Sequence, residues 1–391
     1  MHGHRTLGGL TSEQEMITWD TVSLTHSTHS PHSPVSILEK VYSFALNVVR
    51  IQATHSHFWN YLVKITSLLR VLKPPSVLIF KKIIFMAFKT VICCINTMPE
   101  GPEVLRITQR LDSGMASKTL TQIEFHVESY RNKQFRGDPT AVSNFLSELS
   151  EGLEVNSVNC KGKFIWFDFG EYEVWHTLGM SGTWRNYWPK RGNVMLSFQF
   201  SDGSVWNYKD TRRFGTFRVF ASKTGSQSPE LIKKLNKDLG PDMLSAPPTA
   251  AEFVSRFRRK NHWNITKAMM DQKVVAGIGN YIKAEVLYRA KISPRLLVSE
   301  LSDAQLIEIY EQTRWVIKAS YESRGATIRD YVMPDGSVGD YQFKFLCYSQ
   351  SRCPEKHRIV RHETPDKRTT WWCPECQKSD IKLTRQETLS S

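Results

Sequence analysis

Lys163-Phe-Ile-Trp-Phe-Asp-Phe169 is an aromatic and β-branched run closed on both sides by glycine, Gly162 and Gly170. Such a run is too short for a stable helix and reads as a strand. Val194 to Phe200 and Gly215 to Phe220 read the same way, and Gly, Asn and Asp turns separate the three. Strand-like stretches recurring between Leu120 and Phe220 predict a β-sandwich. A polar run from Ser222 to Glu230, then Leu239-Gly-Pro-Asp242 and Pro247-Pro248, reads as a linker, after which helical patterns take over. Ser302 and Gln305 form a capping box ahead of Leu306, Ile309, Tyr310 and Val316, predicting a helix that ends near Gly325. There are no internal repeats.

The chain has 391 residues, 40% hydrophobic and 11% aromatic, which excludes a wholly disordered or fibrous protein. Its 52 Lys and Arg against 38 Asp and Glu give a formal charge of +14, which favours polyanionic partners. Seven cysteines, two of them in Cys373-Pro-Glu-Cys376, fit a reducing compartment with a metal site better than a disulfide scaffold. A closed tetrahedral zinc site needs two further ligands, and Cys353 and His357 lie upstream. The residues between His357 and Cys373 allow a β-hairpin around Thr364-Pro-Asp-Lys367. Cys347 is the rival ligand, but its strand-like neighbours Phe345 and Leu346 favour a buried thiol.

The composition changes at Met98. Residues 1–97 hold seven of the twelve histidines, and no acidic residue falls between Glu39 and Glu100. The apolar stretch from Val77 to Ile95 is interrupted by Lys81, Lys82 and Lys89, so no membrane span is expected there. This part reads as an extension that is weakly structured or not in the mature protein, rather than as a targeting segment. In Met98-Pro-Glu-Gly-Pro-Glu-Val104, Pro102 and the carboxylates suit the first turn of a helix running to about Leu111. A chain beginning at Pro99 exposes a secondary amine whose pKa the helix dipole lowers. Such an amine can attack C1′ of a deoxyribose, and the cationic iminium it forms permits β-elimination. Glu100 stands beside it as a proton donor and acceptor. Gly277-Ile-Gly-Asn280 precedes a helix from Tyr281 to about Ala290, an arrangement suited to phosphate.

From Pro99 to about Gln377 the chain resembles the formamidopyrimidine-DNA glycosylase and endonuclease VIII family. The resemblance rests on Pro99-Glu-Gly-Pro-Glu103, His176-Thr-Leu-Gly-Met-Ser-Gly182, Asp210-Thr-Arg-Arg-Phe-Gly215, Leu239-Gly-Pro-Asp-Met-Leu244, Asp271 to Asn280 and Cys373-Pro-Glu-Cys-Gln377. It implies an α+β fold: an N-terminal β-sandwich with flanking helices, then a helical helix-two-turn-helix domain with a β-hairpin zinc finger. The expected boundaries are an extension over 1–97, the catalytic β-sandwich over 98–221, a linker over 222–248, the helical domain over 249–341, the zinc finger over 342–380 and a tail over 381–391.

The resemblance also implies a bifunctional DNA glycosylase and apurinic/apyrimidinic lyase of base excision repair. Its partner would be double-stranded DNA containing oxidised bases or abasic sites. Pro99, Glu100, Glu103 and Lys163 would be catalytic. Met180, Arg212 and Phe214 would fill the gap left by a flipped base, and Asn280 and Arg368 would hold the backbone. Cys353, His357, Cys373 and Cys376 would bind structural zinc, although the family usually has Cys-x2-Cys in the upstream half. The segment from Thr327 to Tyr341 resembles the loop that covers flipped oxidised purines, which favours purines and formamidopyrimidines over pyrimidines. A monomer acting inside the cell and off the membrane is expected. The alternatives are a non-catalytic zinc-finger protein that binds damaged or single-stranded DNA and, behind it, a zinc-ribbon transcription factor.

Overall fold

The computed structural model describes residues 98–187, 194–222, 226–326 and 339–378, all within one compact unit, Cys93–Ser391. The expectations for residues 1–97, for 327–338 of the purine-covering loop and for the 381–391 tail fall outside the described residues.

The first helix, α1 (Gly101–Met115), runs a turn past the expected Leu111 because Ile107, Leu111 and Met115 continue one buried stripe. Gly114 is tolerated inside it for a packing reason: a Cβ there would lie 2.3 Å from Trp206 Cζ2. After β1 (Thr119–Phe125) come α2 (Glu128–Gln134), β2 (Phe135–Gly137) and α3 (Pro139–Glu148). Eight strands follow: β3 (Leu153–Glu154), β4 (Ser157–Lys161), β5 (Phe164–Asp168), β6 (Tyr172–Thr177), β7 (Gly182–Arg185), β8 (Val194–Phe200), β9 (Val205–Asp210) and β10 (Thr216–Ala221). Among the described residues they form, with β1 and β2, two five-stranded sheets, ordered β3-β1-β8-β9-β7 and β2-β10-β6-β5-β4. This is the expected sandwich, and β8 has the expected bounds.

β5 pairs with both β4 and β6 and is covered on both faces. Ile165 and Phe167 enter the core between the sheets, where Phe167 meets Phe198 at 5.7 Å and Trp184 at 5.9 Å between ring centroids. Phe164 and Trp166 face the other way and pack on Leu231. Two covered faces explain why this stretch is continuously apolar rather than alternating. Leu231 belongs to α4 (Pro229–Lys233), inside the stretch read as a linker. Ser228 caps α4 and donates its N–H and hydroxyl to the buried Glu173, at 2.7 and 2.6 Å. The stretch read as a linker therefore carries a second layer on the sheet, signalled by Ser228-Pro229 and by Leu231, Leu235 and Leu239 at helical spacing.

The second core gathers α5 (Ala250–Arg258), α6 (Ile265–Met270), α7 (Asn280–Arg289) and α8 (Asp303–Glu322). The capping box forms as expected: Ser302 Oγ accepts from Gln305 N, and Gln305 Oε1 accepts from Ser302 N. α8 stops where Arg324 and Gly325 take positive φ. Arg258, near the end of α5, ties that helix to the Val298 and Leu301 carbonyls and to Asp303. β11 (Val360–Thr364) and β12 (Arg368–Trp372) make the expected hairpin, turning through Pro365-Asp366-Lys367 with Lys367 at φ +56°.

Candidate active site

α1, α7 and the β4–β5 turn meet at three glycines. Gly101 N donates to Gly277 O at 2.9 Å, and a Cβ on Gly162 would lie 2.7 Å from Gly277 N. Side chains would hold these backbones apart. Asp242 fixes the turn by accepting from Gly162 N at 2.6 Å and from the Leu244 and Ser245 amides. Pro99 is buried at the start of this junction, and Lys163 leaves it one residue after Gly162.

Glu100 is buried, and its carboxylate accepts from Tyr281 N at 2.9 Å and Ile282 N at 3.2 Å. It therefore caps α7 across the two domains. The glycine turn suggests a phosphate at the start of α7, but two of the helix amides are taken by Glu100, and Gly279 is glycine because a Cβ would fall 2.1 Å from Glu100 Cδ. Burial pushes the Glu100 carboxyl up to about 7, and Glu103 adds to the rise, while Lys163 and the α7 amides oppose it. Lys163 is lowered by burial against the opposing pull of Glu100. Arg368 lies close enough to add to that lowering.

Glu103 is fully buried one turn along α1. Its carboxylate accepts from Ala326 N at 2.7 Å, Glu100 N at 2.9 Å and the Tyr281 hydroxyl at 3.0 Å. Asn280, at the start of α7, donates Nδ2 to Thr369 O at 2.9 Å, and its buried Oδ1 has no hydrogen-bond partner. Pro99, Glu100, Glu103, Lys163, Asn280 and Arg368 are thus brought together around α7. Met180, Arg212 and Phe214 form a second group. Arg212 Nη1 lies 3.4 Å from Met180 Sδ, and Phe214 is 57% exposed.

Asp210 organises that second group, a role the sequence reading missed. Its buried carboxylate accepts from Ser181 Oγ at 2.5 Å, Gly215 N at 2.7 Å and Arg212 N at 3.2 Å. The signal available was an Asp at the head of a Thr-Arg-Arg turn, the pattern of a side chain folding back on its own backbone. Tyr281, Asp242 and the buried pair Lys283–Asp366, 2.6 Å apart, were also missed. His176, inside a quoted motif, is a core residue: it stacks on Phe217 at 4.1 Å and accepts from Trp184 Nε1, and burial lowers its pKa to about 3.

Cys353, His357, Cys373 and Cys376 converge, their ligand atoms all within 4.8 Å of one another. Cys353 Sγ is 3.8 Å from both Cys373 Sγ and Cys376 Sγ, and His357 Nδ1 is 3.3 Å from Cys376 Sγ. Zinc–sulfur bonds of ~2.3 Å in a tetrahedron put sulfurs about 3.8 Å apart, so the donor set fits zinc. With four protein ligands the site is closed, as a structural metal requires. Cys347 is not in the group; its backbone N–H donates to Glu285. Gln377 ties the finger to the helical core by accepting from Cys373 N and donating to Ile292 O.

A β-sandwich is thus joined to a helical core that carries a hairpin with a closed set of three cysteines and one histidine. The profile described as the formamidopyrimidine-DNA glycosylase N-terminal domain matches residues 98–217, and that described as the formamidopyrimidine-DNA glycosylase H2TH domain matches 239–332. The formamidopyrimidine-DNA glycosylase of Listeria monocytogenes serotype 4b is 30% identical over 286 residues, covering 72% of this chain and all of that protein. The chain belongs to the formamidopyrimidine-DNA glycosylase family. The crystal structure of MutM (Fpg) from Thermus thermophilus superposes with a TM-score of 0.60 at 28% identity, covering 71% of this chain and 98% of that one. A Lactococcus lactis FPG mutant in complex with Fapy-dG-containing DNA shares the fold, with a TM-score of 0.61 at 23% identity, covering 72% of this chain and all of that one.

Proposed function

We propose that this protein is a bifunctional DNA glycosylase and abasic-site lyase of base excision repair, active when Pro99 is its N-terminal residue. The supporting observation is Glu100: a buried carboxyl beside Pro99 whose pKa of about 7 lets it hold or release a proton at neutral pH. The neutral Pro99 nitrogen attacks C1′, the glycosidic bond breaks, and its electron pair leaves with the base, which takes up a proton. The nitrogen gives up its own proton, its lone pair opens the C1′–O4′ bond, O4′ takes up a proton, and the C1′–nitrogen double bond so formed is the iminium. A proton then leaves C2′, the 3′ phosphate departs by β-elimination, and δ-elimination releases the 5′ phosphate. Glu100 supplies and receives protons, and Glu103 holds Glu100 and α7 in place. Lys163, Asn280 and Arg368 bind the backbone phosphates, and Met180, Arg212 and Phe214 occupy the vacated stack. Zinc holds the hairpin and takes no part in the bond changes.

Oxidised purines and formamidopyrimidines are the proposed substrates, in keeping with the relatives' name and with the Fapy-dG DNA bound to the Lactococcus lactis protein. Borohydride trapping on abasic duplex tests the nucleophile. The Pro99-terminated protein should give a covalent adduct, and one added N-terminal residue should prevent it. Equal trapping by the blocked protein would move the nucleophile elsewhere, with Lys163, which interacts with Glu100, the first amine to test. DNA binding with no adduct in either form would favour the non-catalytic binder.

A further inference from the structure

Arg368 stands at the start of β12, and nothing on the hairpin alone fixes its height above α7. Two bonds between the hairpin and α7 do so. Asn280 Nδ2 donates to the carbonyl of Thr369, and Lys283, three residues along α7, reaches Asp366 in the turn at 2.6 Å. The attachments flank Arg368 in the sequence, one two residues before it and one directly after. The ion pair is enclosed, with side-chain exposures of 0% for Lys283 and 3% for Asp366. Thr364 Oγ1 binds Asp366 Oδ1 and closes the turn around it.

Burying two charges this completely is a poor route to stability, because desolvation offsets much of their attraction. Such a pair is worth more as a register device, since it is satisfied in one arrangement only. We propose that Lys283 and Asp366 are positioning residues that seat the zinc hairpin on α7 and thereby hold Arg368 in register with Asn280 for a shared stretch of DNA backbone. The pair acts on phosphate binding through Arg368 and touches no reacting atom. The inference rests on the glycosylase reading, in which Arg368 binds DNA.

The test is a mutant cycle on the full-length, zinc-loaded protein, reading affinity for a duplex with a non-cleavable abasic analogue, together with zinc content and the melting curve. Arg368→Ala alone tests the underlying reading: unchanged affinity would remove Arg368 from the DNA surface and leave the positioning question without an object. Given a loss there, Lys283→Met with Asp366→Leu removes both charges and leaves neither one stranded. It should retain zinc and melting temperature yet weaken binding about tenfold, as coupled neighbours do. In the Arg368→Ala background the same pair of changes should cost little more. Losses that multiply, or wild-type affinity in the charge-free pair, would overturn the proposal. Should the charge-free pair melt early, Lys283→Arg is decisive, because it keeps the ion pair. Affinity and salt dependence near wild type support the positioning role, and a loss equal to Arg368→Ala in a stably folded Lys283→Arg protein refutes it.

Discussion

The interior of the β-sandwich and the junction around α7 are equally dry and are built from opposite materials. The sandwich core is rings: Trp184, Tyr208, Phe198, Phe217 and a His176 that burial keeps neutral. The junction is made of ionisable groups, Glu100, Glu103, Lys283, Glu285 and Asp366. Apolar contact is non-directional and sums over area, so the rings stabilise the fold without aiming any one atom. Hydrogen-bonded carboxylates are directional and costly to leave unpaired, so the junction specifies position. Stability and placement are thereby assigned to different regions, and substitutions in the two should fail in different ways.

The largest contrast is expected at Glu100. Glu100→Gln keeps the shape and loses the titration, so base excision should fall by roughly 10²–10⁴-fold, with the smallest change in melting at acid pH, where the wild-type carboxyl is neutral as well. In the wild type, the raised pKa means that the folded protein holds an extra proton between the ordinary carboxylate value of 4.5 and about 7. Stability from this group is therefore present at acid pH and declines as pH rises through that window. The variant should lack this slope, and excision in the wild type should lose its acid-dependent limb above about pH 7. Melting and rate profiles against pH decide both points; a retained slope in the variant would assign the proton to another group.

Trp184→Ala tests the opposite region. Removing a fully buried indole should cost about 3–5 kcal/mol, read by denaturant unfolding, while the excision rate per folded molecule stays near wild type. A rate loss exceeding the loss of folded protein would mean that the core also aims the site. Chelating zinc should come next. The hairpin should melt and duplex binding fall, while the sandwich retains its near-ultraviolet aromatic signal, because the four ligands lie in one short segment. Simultaneous loss of both signals would merge the two regions into one cooperative unit.

Arg212→Ala with Phe214→Ala should slow excision from duplex about tenfold or more, where extrusion costs a few kcal/mol, and spare cleavage of single-stranded abasic DNA. Parallel loss of both activities with the melting temperature would return these residues to the core. Cys347→Ala should leave zinc content unchanged, with His357→Ala as the contrasting variant that loses it. Elemental analysis reads both.

How much of this was legible beforehand follows the same division. The sandwich, the strand bounds at Val194 and Phe200, the Ser302 cap and the ligand set were readable because each is a local pattern: short apolar runs between turn residues, a cap residue, a spacing. Glu100 and Glu103 were visible as a motif, but their roles as acceptors for Tyr281, Ile282 and Ala326 were not, since those partners lie some 180 to 220 residues away in the chain. Leu231 was hidden although Leu235 and Leu239 follow it at helical spacing, because the polar run before it and the Gly240-Pro241 and Pro247-Pro248 breaks after it dominate the stretch. The Gly277-Ile-Gly279 turn was read as making room for a phosphate, whereas its space is filled by a carboxylate from the protein itself.

α7 carries a consequence for how this chain tolerates changes of length. Tyr281 binds Glu103, Lys283 binds Asp366, and Glu285 accepts from the amides of Leu346, Cys347 and Tyr348. Successive residues of a helix are turned by about 100°, so Lys283 projects on roughly the opposite side from Tyr281 and Glu285. A single residue inserted between Asn280 and Glu285 would rotate everything downstream by that angle and break the attachments beyond it at once. Insertions at the exposed Asp202-Gly203 turn meet no such obstacle. The ten residues of α7 therefore act as a fixed length standard, in which counting residues matters as much as choosing them.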